Sequence, residues 1–120
     1  MCDDRITVSP VSLTASMPAL TPGRIRHTVS FALAHPQGSD EEADFLAAAA
    51  RLSDVIPGVE AFEVLREVSP KNDFVHGLSM EFADRAAYDT YNEHPEHTSF
   101  VGERWTAEVT AFQEIDYEAR

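Results

Sequence analysis

The stretch YNEHPEHTSF, residues 91–100, places His94 and His97 on either side of Pro95 and begins with Tyr91. A neutral imidazole has a pKa near ~6.5 and can accept a proton at neutral pH, and a tyrosine hydroxyl can orient that imidazole or donate to an oxyanion. Since proline cannot continue a helix, the stretch could instead mark a helix end, or its histidines could clamp a metal. The residues leave three interpretations open: a helix stop, a metal clamp or half of an acid–base site.

Two further histidines interrupt apolar rows in segments that alternate with a period of two. In RIRHTVSFAL, residues 24–33, His27 shares a face with Ile25, Val29, Phe31 and Leu33. In DFVHGLSMEFA, residues 73–83, His76 shares a face with Phe74, Leu78, Met80 and Phe82. The period predicts two strands, each with an ionisable group on its buried face. Each histidine is then either a core residue bonded to a neighbouring side chain or part of a site.

The remaining segments predict two helices and two more strands. A helix capped by Ser39 or Asp40 runs through ADFLAAAARLSDVI and ends at Pro57-Gly58, and its acidic EEAD start is expected to be solvated. VEAFEVLREVS predicts a second strand, and a second helix begins near Asp84 and stops before Pro95. A short helical piece and a last strand, TAEVTAFQEIDYE, follow.

The predicted order is β-α-β-β-α-β, which is typical of an α+β, ferredoxin-like domain with a four-stranded antiparallel sheet and both helices on one side. The uncovered sheet face would carry small or weakly polar residues, among them Thr28, Ser30, Gly77 and Ser79. A homodimer that closes two such sheets into a barrel would cover this face. We assign residues 24–120 to the domain and residues 1–23, rich in Ser, Thr and Pro, to an N-terminal extension that is partly disordered or draped over it.

Composition narrows the classes of partner and location. The formal net charge of -12 argues against nucleic acid and against an anionic membrane surface. The single cysteine, Cys2, cannot form an internal disulfide, and there is no apolar run long enough for a transmembrane helix. The acidic start does not match a signal peptide, so a reducing, cytoplasmic setting is expected.

The chain from residue 26 to residue 117 resembles the stress-responsive α/β-barrel (Dabb) family, within the dimeric α/β-barrel superfamily. The segments that carry the resemblance are RHTVSFAL, VIPGVEAFEV, the block DFVHGLSMEFADRAAYDTYNEHPEHTSF and a closing strand that ends in IDY. The resemblance implies a ferredoxin-like subunit that dimerises into an α/β barrel.

The resemblance also implies a chemistry, because one member, the plant polyketide cyclase olivetolic acid cyclase, closes a linear polyketide thioester by an aldol condensation without cofactor or metal. Its active-site positions fall at His27, His76, Tyr91 and His97 of this chain. By this likeness, His97 is expected to act as the base with Tyr91 as its hydrogen-bonded partner. His27 and His76 would hold the oxygens of a small apolar carbonyl compound in a pocket between sheet and helices.

Competing interpretations concern the same residues. The family also admits a non-catalytic, stress-related or ligand-binding dimer, and the strand histidines could be structural. A metal site from His27, His76 and a carboxylate is an alternative, as is a haem site, although no residue suggests an axial ligand. His94 is expected to cap or turn the chain, His35 to lie in a loop, and Tyr88 to serve plain packing rather than the site.

Overall fold

The computed structural model describes residues 19–120, so the first eighteen residues of the expected extension lie outside the described part of the chain. Four strands form one sheet: β1 (Ile25–Leu33), β2 (Glu60–Arg66), β3 (His76–Phe82) and β4 (Val109–Glu118). Their order is β2-β3-β1-β4, and every neighbouring pair is antiparallel. The predicted ferredoxin-like arrangement is confirmed.

The helices begin and end where capping chemistry places them. The first, α1 (Asp40–Val55), begins after Ser39, whose side chain accepts from the backbone N–H of Glu42. The second, α2 (Arg85–Glu93), begins after Asp84, whose carboxylate accepts from Ala87 N–H. Beyond Pro95 the short helical piece is longer than predicted. It comprises α3 (Pro95–Phe100), a π-helical turn (Val101–Trp105) and α4 (Thr106–Glu108).

The core lies between the helices and one face of the central strands. β1 and β3 bury alternate residues, as their period of two predicts. One buried cluster joins the ends of these strands to α1 and α2, with Ile25, Leu52, Ile56, Met80, Phe82, Tyr88 and Tyr91. A second joins their other ends to α1, with Val29, Phe31, Phe45, Ala49 and Leu78. Burial of these side chains gives the sheet and helices a fixed spacing, and the site forms between them.

The strand register determines which residues share the helix-covered face. His27 pairs with Met80 on β3 and with Asp116 on β4, while Phe31 pairs with His76. Since cross-strand partners point to the same face, Asp116 and Glu114 project toward the helices together with the two histidines. β2 carries a bulge near Ala61, whose φ of 51° is left-handed, and this turns Phe62 toward the core.

Within residues 19–120, no helix covers the opposite face of the sheet. Thr28, Ser30, Gly77 and Ser79 lie on this open face, as predicted, and are half-buried. Three apolar side chains on the same face are exposed: Leu65, Ile115 and Tyr117. In residues 19–120, no helix has the length and apolar character needed to cross a membrane.

Candidate active site

A cavity of about 350 Å³ lies between the sheet and the helices, at the place where the resemblance predicts a pocket. Its walls are mainly apolar and come from both core clusters, the π-helical turn and β4. The polar groups that reach it are few: His27, Tyr91, His97, Thr106 and Glu114. An apolar cavity with a few converging polar groups is the usual form of a small-molecule site.

His97 reaches the cavity because the chain turns at Pro95. His94 is extended, with φ −63° and ψ 135°, and its Nδ1 accepts from Glu96 N–H as the cap of α3. This capping role confirms the prediction for His94. The turn then brings the His97 ring to 4.4 Å from the Tyr91 ring, between centroids. The helix-stop interpretation is therefore confirmed for His94, whereas His97 lines the cavity and its acid–base role stays a prediction.

The tautomer of His97 follows from its hydrogen bond. Its Nδ1 lies 3.2 Å from the backbone carbonyl oxygen of Asn92. Because a carbonyl can only accept, Nδ1 carries the proton and Nε2 keeps its lone pair. Burial lowers the pKa of His97 below its ordinary value of 6.5, against the opposing effect of the Asn92 bond. A neutral imidazole with an available Nε2 is the form that a general base requires.

Tyr91 contacts His97 through its ring, and the two side chains form no hydrogen bond. The predicted hydroxyl–imidazole bond is therefore wrong in geometry, although the pair is in contact as expected. Burial, followed by the negative charge of Glu114, raises the pKa of Tyr91 above 10.0. The phenol is therefore protonated at neutral pH and can donate a hydrogen bond to an oxyanion.

His27 is held by a carboxylate that sequence reasoning did not identify. Its Nδ1 lies 2.6 Å from Asp116 Oδ1, and its Nε2 lies 3.6 Å from Glu114 Oε2. Only 4% of His27 is exposed, so these partners decide how the ring is oriented. The Asp116 bond directs Nε2 toward the cavity and Glu114.

Tyr88 belongs to this polar network, and its assignment to plain packing is wrong. Its hydroxyl donates to Asp116 Oδ2 at 2.7 Å and lies 3.3 Å from His27 Nδ1. Burial, followed by the bond to Asp116, raises the pKa of Tyr88 above 10.0. Both oxygens of Asp116 are thus engaged, one by the imidazole and one by the phenol, while the Tyr88 ring also packs in the core.

His76 faces the helices, as predicted, but it lies away from the cavity. Its Nε2 contacts Glu42 Oε2 at 3.1 Å, and its ring packs on Phe31 with centroids 5.3 Å apart. The side chain of Glu42 is only 15% exposed, so the expectation of a fully solvated EEAD start is also wrong. The partly buried carboxylate of Glu42 satisfies His76, which does not line the cavity, so the expectation that it holds a substrate oxygen there is not met.

The separation of the strand histidines bears on the metal alternative. His76 pairs with Phe31, four residues along β1 from His27. At about 3.3 Å per residue, the two histidines are roughly 13 Å apart, too far to share one ion. His35, the loop histidine, bonds Glu108 at 2.7 Å on another part of the surface.

Asp116 and Glu114 are the members of this polar network that the sequence analysis missed. The available signal was the alternation in FQEIDYE, which places Phe112, Glu114, Asp116 and Glu118 on one face of β4. Three carboxylates on the face that turns toward two histidines would have suggested an imidazole–carboxylate pair. That argument also requires the β1–β4 register, which alternation alone does not supply.

These features define a ferredoxin-like α+β domain with a mainly apolar cavity between sheet and helices, which histidine, tyrosine and glutamate side chains reach. The family model for the stress responsive A/B barrel domain (Dabb) matches residues 25–119. The chain therefore belongs to the Dabb family.

Solved structures agree with this assignment. A Dabb family protein with a ferredoxin-like fold from Mesorhizobium loti is 53% identical, with a TM-score of 0.80, and the match covers 82% of this chain and 98% of that one. A dimeric ferredoxin-like protein of unknown function from Bacteroides fragilis is 24% identical, with a TM-score of 0.64 and coverages of 84% and 100%. The hydroxynitrile lyase from Passiflora edulis is 19% identical, with a TM-score of 0.71 and coverages of 83% and 96%. No curated protein sequence matches the chain.

Proposed function

We propose that this Dabb protein is a homodimeric, cofactor-independent enzyme that performs acid–base chemistry of the aldol type on a small apolar carbonyl compound. The observation that carries the proposal is the His97 tautomer. Its Nδ1 is bound to the Asn92 carbonyl, so the basic Nε2 is available in a largely apolar cavity. Burial lowers the pKa of His97 and keeps the ring neutral. A neutral imidazole with a lowered pKa that faces an apolar cavity is typical of functional sites.

Each of three residues has its own role in the proposed reaction. His97 Nε2 removes a proton from the carbon next to the carbonyl, and the electron pair moves onto the carbonyl oxygen. The phenol of Tyr91 and the Nε2 of His27, when protonated, donate hydrogen bonds to that oxygen. The enolate carbon attacks a second carbonyl, and the new alkoxide takes its proton back from the His97 imidazolium. No electron acceptor enters the balance, which is consistent with a cofactor-free reaction.

Two likenesses support this class of chemistry. The positions of His27, Tyr91 and His97 match those implied by the cyclase resemblance, and all three line the cavity. The hydroxynitrile lyase shares the fold, and its name describes an enzyme that breaks a bond at a carbon bearing a hydroxyl group. Both kinds of reaction require a base and an oxygen-stabilising donor in one cavity.

The dimer part of the proposal depends on the open face of the sheet. Leu65, Ile115 and Tyr117 are 41–52% exposed there, beside the small residues of β1 and β3. Apolar groups on an uncovered sheet favour a partner surface, and a second copy would supply the same surface about a two-fold axis. Related ferredoxin-like proteins of known structure are described as dimeric.

The chemical step can be tested without knowing the natural substrate. Benzylacetone is a small apolar ketone, and base catalysis exchanges its α-hydrogens for deuterium in D₂O, which proton NMR follows directly. The wild-type protein should accelerate exchange above the buffer rate, and His97→Ala should remove about 100-fold or more of that acceleration.

His94→Asn is the matched control, because it removes a histidine three residues away while keeping a good helix cap. It should exchange the ketone at the wild-type rate. If wild type and His97→Ala are both indistinguishable from buffer, the alternative of a non-catalytic ligand-binding dimer is favoured.

A further inference from the structure

One residue that lines the cavity, Glu114, carries a carboxylate. Glu114 is the sole carboxylate among the described residues that line the cavity, and neither lysine nor arginine is among them. The other carboxylate of the network, Asp116, has both oxygens engaged by His27 and Tyr88. Glu114 is therefore the acidic group that remains available to a bound molecule.

Glu114 lies at the mouth of the cavity. It pairs with Val29 across the sheet, so its side chain lies on the helix-covered face, yet 54% of it is exposed. Phe112, two residues before it on the same face, is 55% exposed and also lines the cavity. The outer strand β4 thus forms an open side through which a molecule entering the cavity would pass the carboxylate.

The spacing of Glu114 from its neighbour leaves room for a ligand atom. Its Oε2 lies 3.6 Å from His27 Nε2, longer than a direct hydrogen bond. A hydroxyl or amide group placed here could donate a hydrogen bond to the carboxylate. The charge also reaches deeper groups, since Glu114 contributes to raising the pKa of Tyr91 and opposes the lowering of the pKa of His97.

We infer that Glu114 is a specificity-determining residue, which selects uncharged, largely apolar molecules that carry a hydrogen-bond donor and which excludes carboxylates. An anion in this cavity would meet a like charge across apolar walls, with neither lysine nor arginine among the described lining residues to compensate. A neutral donor would instead satisfy the carboxylate. The inference deepens the proposed function and rests on it for the cavity, but it concerns binding and not turnover.

Three isosteric probes separate charge from shape. Benzylacetone, hydrocinnamamide and hydrocinnamate share one phenylethyl skeleton and differ only in the terminal methyl, amide or carboxylate oxygen. Trp105 is the single tryptophan of the chain and lines the cavity, so its fluorescence reports occupancy without a label. We expect the wild-type protein to bind the amide at least as tightly as the ketone, and the carboxylate at least tenfold more weakly than the ketone.

Glu114→Gln removes the charge with almost no change of shape. In this variant the carboxylate should bind within threefold of the ketone, and the preference for the amide should shrink. Glu118→Gln is the matched control, because it makes the same change on the same face of β4, four residues along the strand and outside the cavity lining. It should retain the wild-type discrimination.

Three results would overturn the inference: equal binding of carboxylate and ketone by the wild type, unchanged discrimination in Glu114→Gln, or no binding of either neutral probe at millimolar concentration. The outcome is separable from that of the proposed function. If the protein discriminates by charge but does not exchange deuterium, the role of Glu114 is supported and the proposed enzymatic activity is contradicted. If it exchanges deuterium but does not discriminate by charge, the enzymatic activity is supported and the role of Glu114 is contradicted.

Discussion

The imidazole of His97 donates its Nδ1 proton to the backbone carbonyl of Asn92, five residues earlier in the chain, over 3.2 Å. The acceptor belongs to the end of α2, and the donor belongs to the first turn after Pro95. The bond that determines the tautomer is thus part of the turn itself and does not depend on a ligand. The orientation of the His97 ring is therefore fixed before any ligand arrives, which is what the proposed role as a general base requires.

The first prediction concerns the pH dependence of exchange. Because burial lowers the pKa of His97 below 6.5, its imidazole remains neutral at pH values where an ordinary histidine is already charged. The acidic limb of kcat/KM for deuterium exchange should therefore lie below 6.5, and an NMR titration of the His97 ring should give the same midpoint. A limb at or above 6.5 would contradict the assignment of His97 as the base.

The second prediction follows from the same shift by linkage. A depressed pKa in the folded state means that the unfolded chain binds the proton more readily. The contribution of His97 to stability is complete above 6.5 and is lost as the pH falls through the folded-state pKa. Urea unfolding of wild type and His97→Gln should show free energies of unfolding that converge over this window. A difference independent of pH would mean that the ring only packs.

The third prediction tests the hydroxyl of Tyr88. Tyr88→Phe keeps the ring in the core and removes the 2.7 Å bond to Asp116. Since the Asp116 side chain is about a third exposed, water partly replaces the donor, and we expect a loss of about 1 kcal/mol in the free energy of unfolding. Nitrogen-15 NMR of His27 should also change, because its partner carboxylate is released on one side. An unchanged His27 spectrum would show that Tyr88 does not position it.

The fourth prediction tests the placement of His76 outside the cavity. Glu42→Gln keeps a hydrogen-bonding side chain at the helix start but removes the charge that faces His76, and it should cost about 2 kcal/mol of stability. Binding of benzylacetone should remain at the wild-type level. Glu41→Gln, an exposed neighbour, should change stability by less than about 0.5 kcal/mol. Loss of ketone binding in Glu42→Gln would restore a substrate role for His76.

The fifth prediction concerns assembly. Light scattering after size-exclusion chromatography should give twice the mass of the 13.3 kDa chain. Ile115→Lys places a charge on the open sheet face and should shift the protein toward the monomer. Val68→Lys, in the loop after β2 and 82% exposed, is the control and should leave the mass unchanged. A wild-type monomer would contradict the homodimer, and a dimer that tolerates Ile115→Lys would place the interface elsewhere.

The pattern of apolar and polar residues along the chain predicted much of this fold. Alternation in β1 and β3 placed His27 and His76 on the buried face, and the proline rule placed the end of α2. These features depend only on near neighbours in the chain. The family likeness then located Tyr91 and His97, which do line one cavity.

The partners of the histidines could not be predicted in the same way. Asp116 lies 89 residues from His27, and only the register of β4 on β1 brings them together. A register slip of one residue would turn Asp116 to the opposite face of the sheet. Glu42 and His76 meet for a similar reason, because the position of α1 on the sheet is decided by how Phe45, Ala49 and Leu52 pack.

The π-helical turn at Val101–Trp105 has a consequence for how this cavity could change. Its defining bond joins Thr106 N–H to the carbonyl of Val101, five residues back, so the turn holds one residue more than an α-helix would. Deleting a single residue here would restore an α-helix, remove the widened turn and shorten this wall of the cavity by one residue. Val101 and Trp105 would then lie three residues apart and still share one side of the helix, but with one side chain fewer between them. A one-codon change in length could thus give related proteins differently shaped cavities around an unaltered set of acid–base groups.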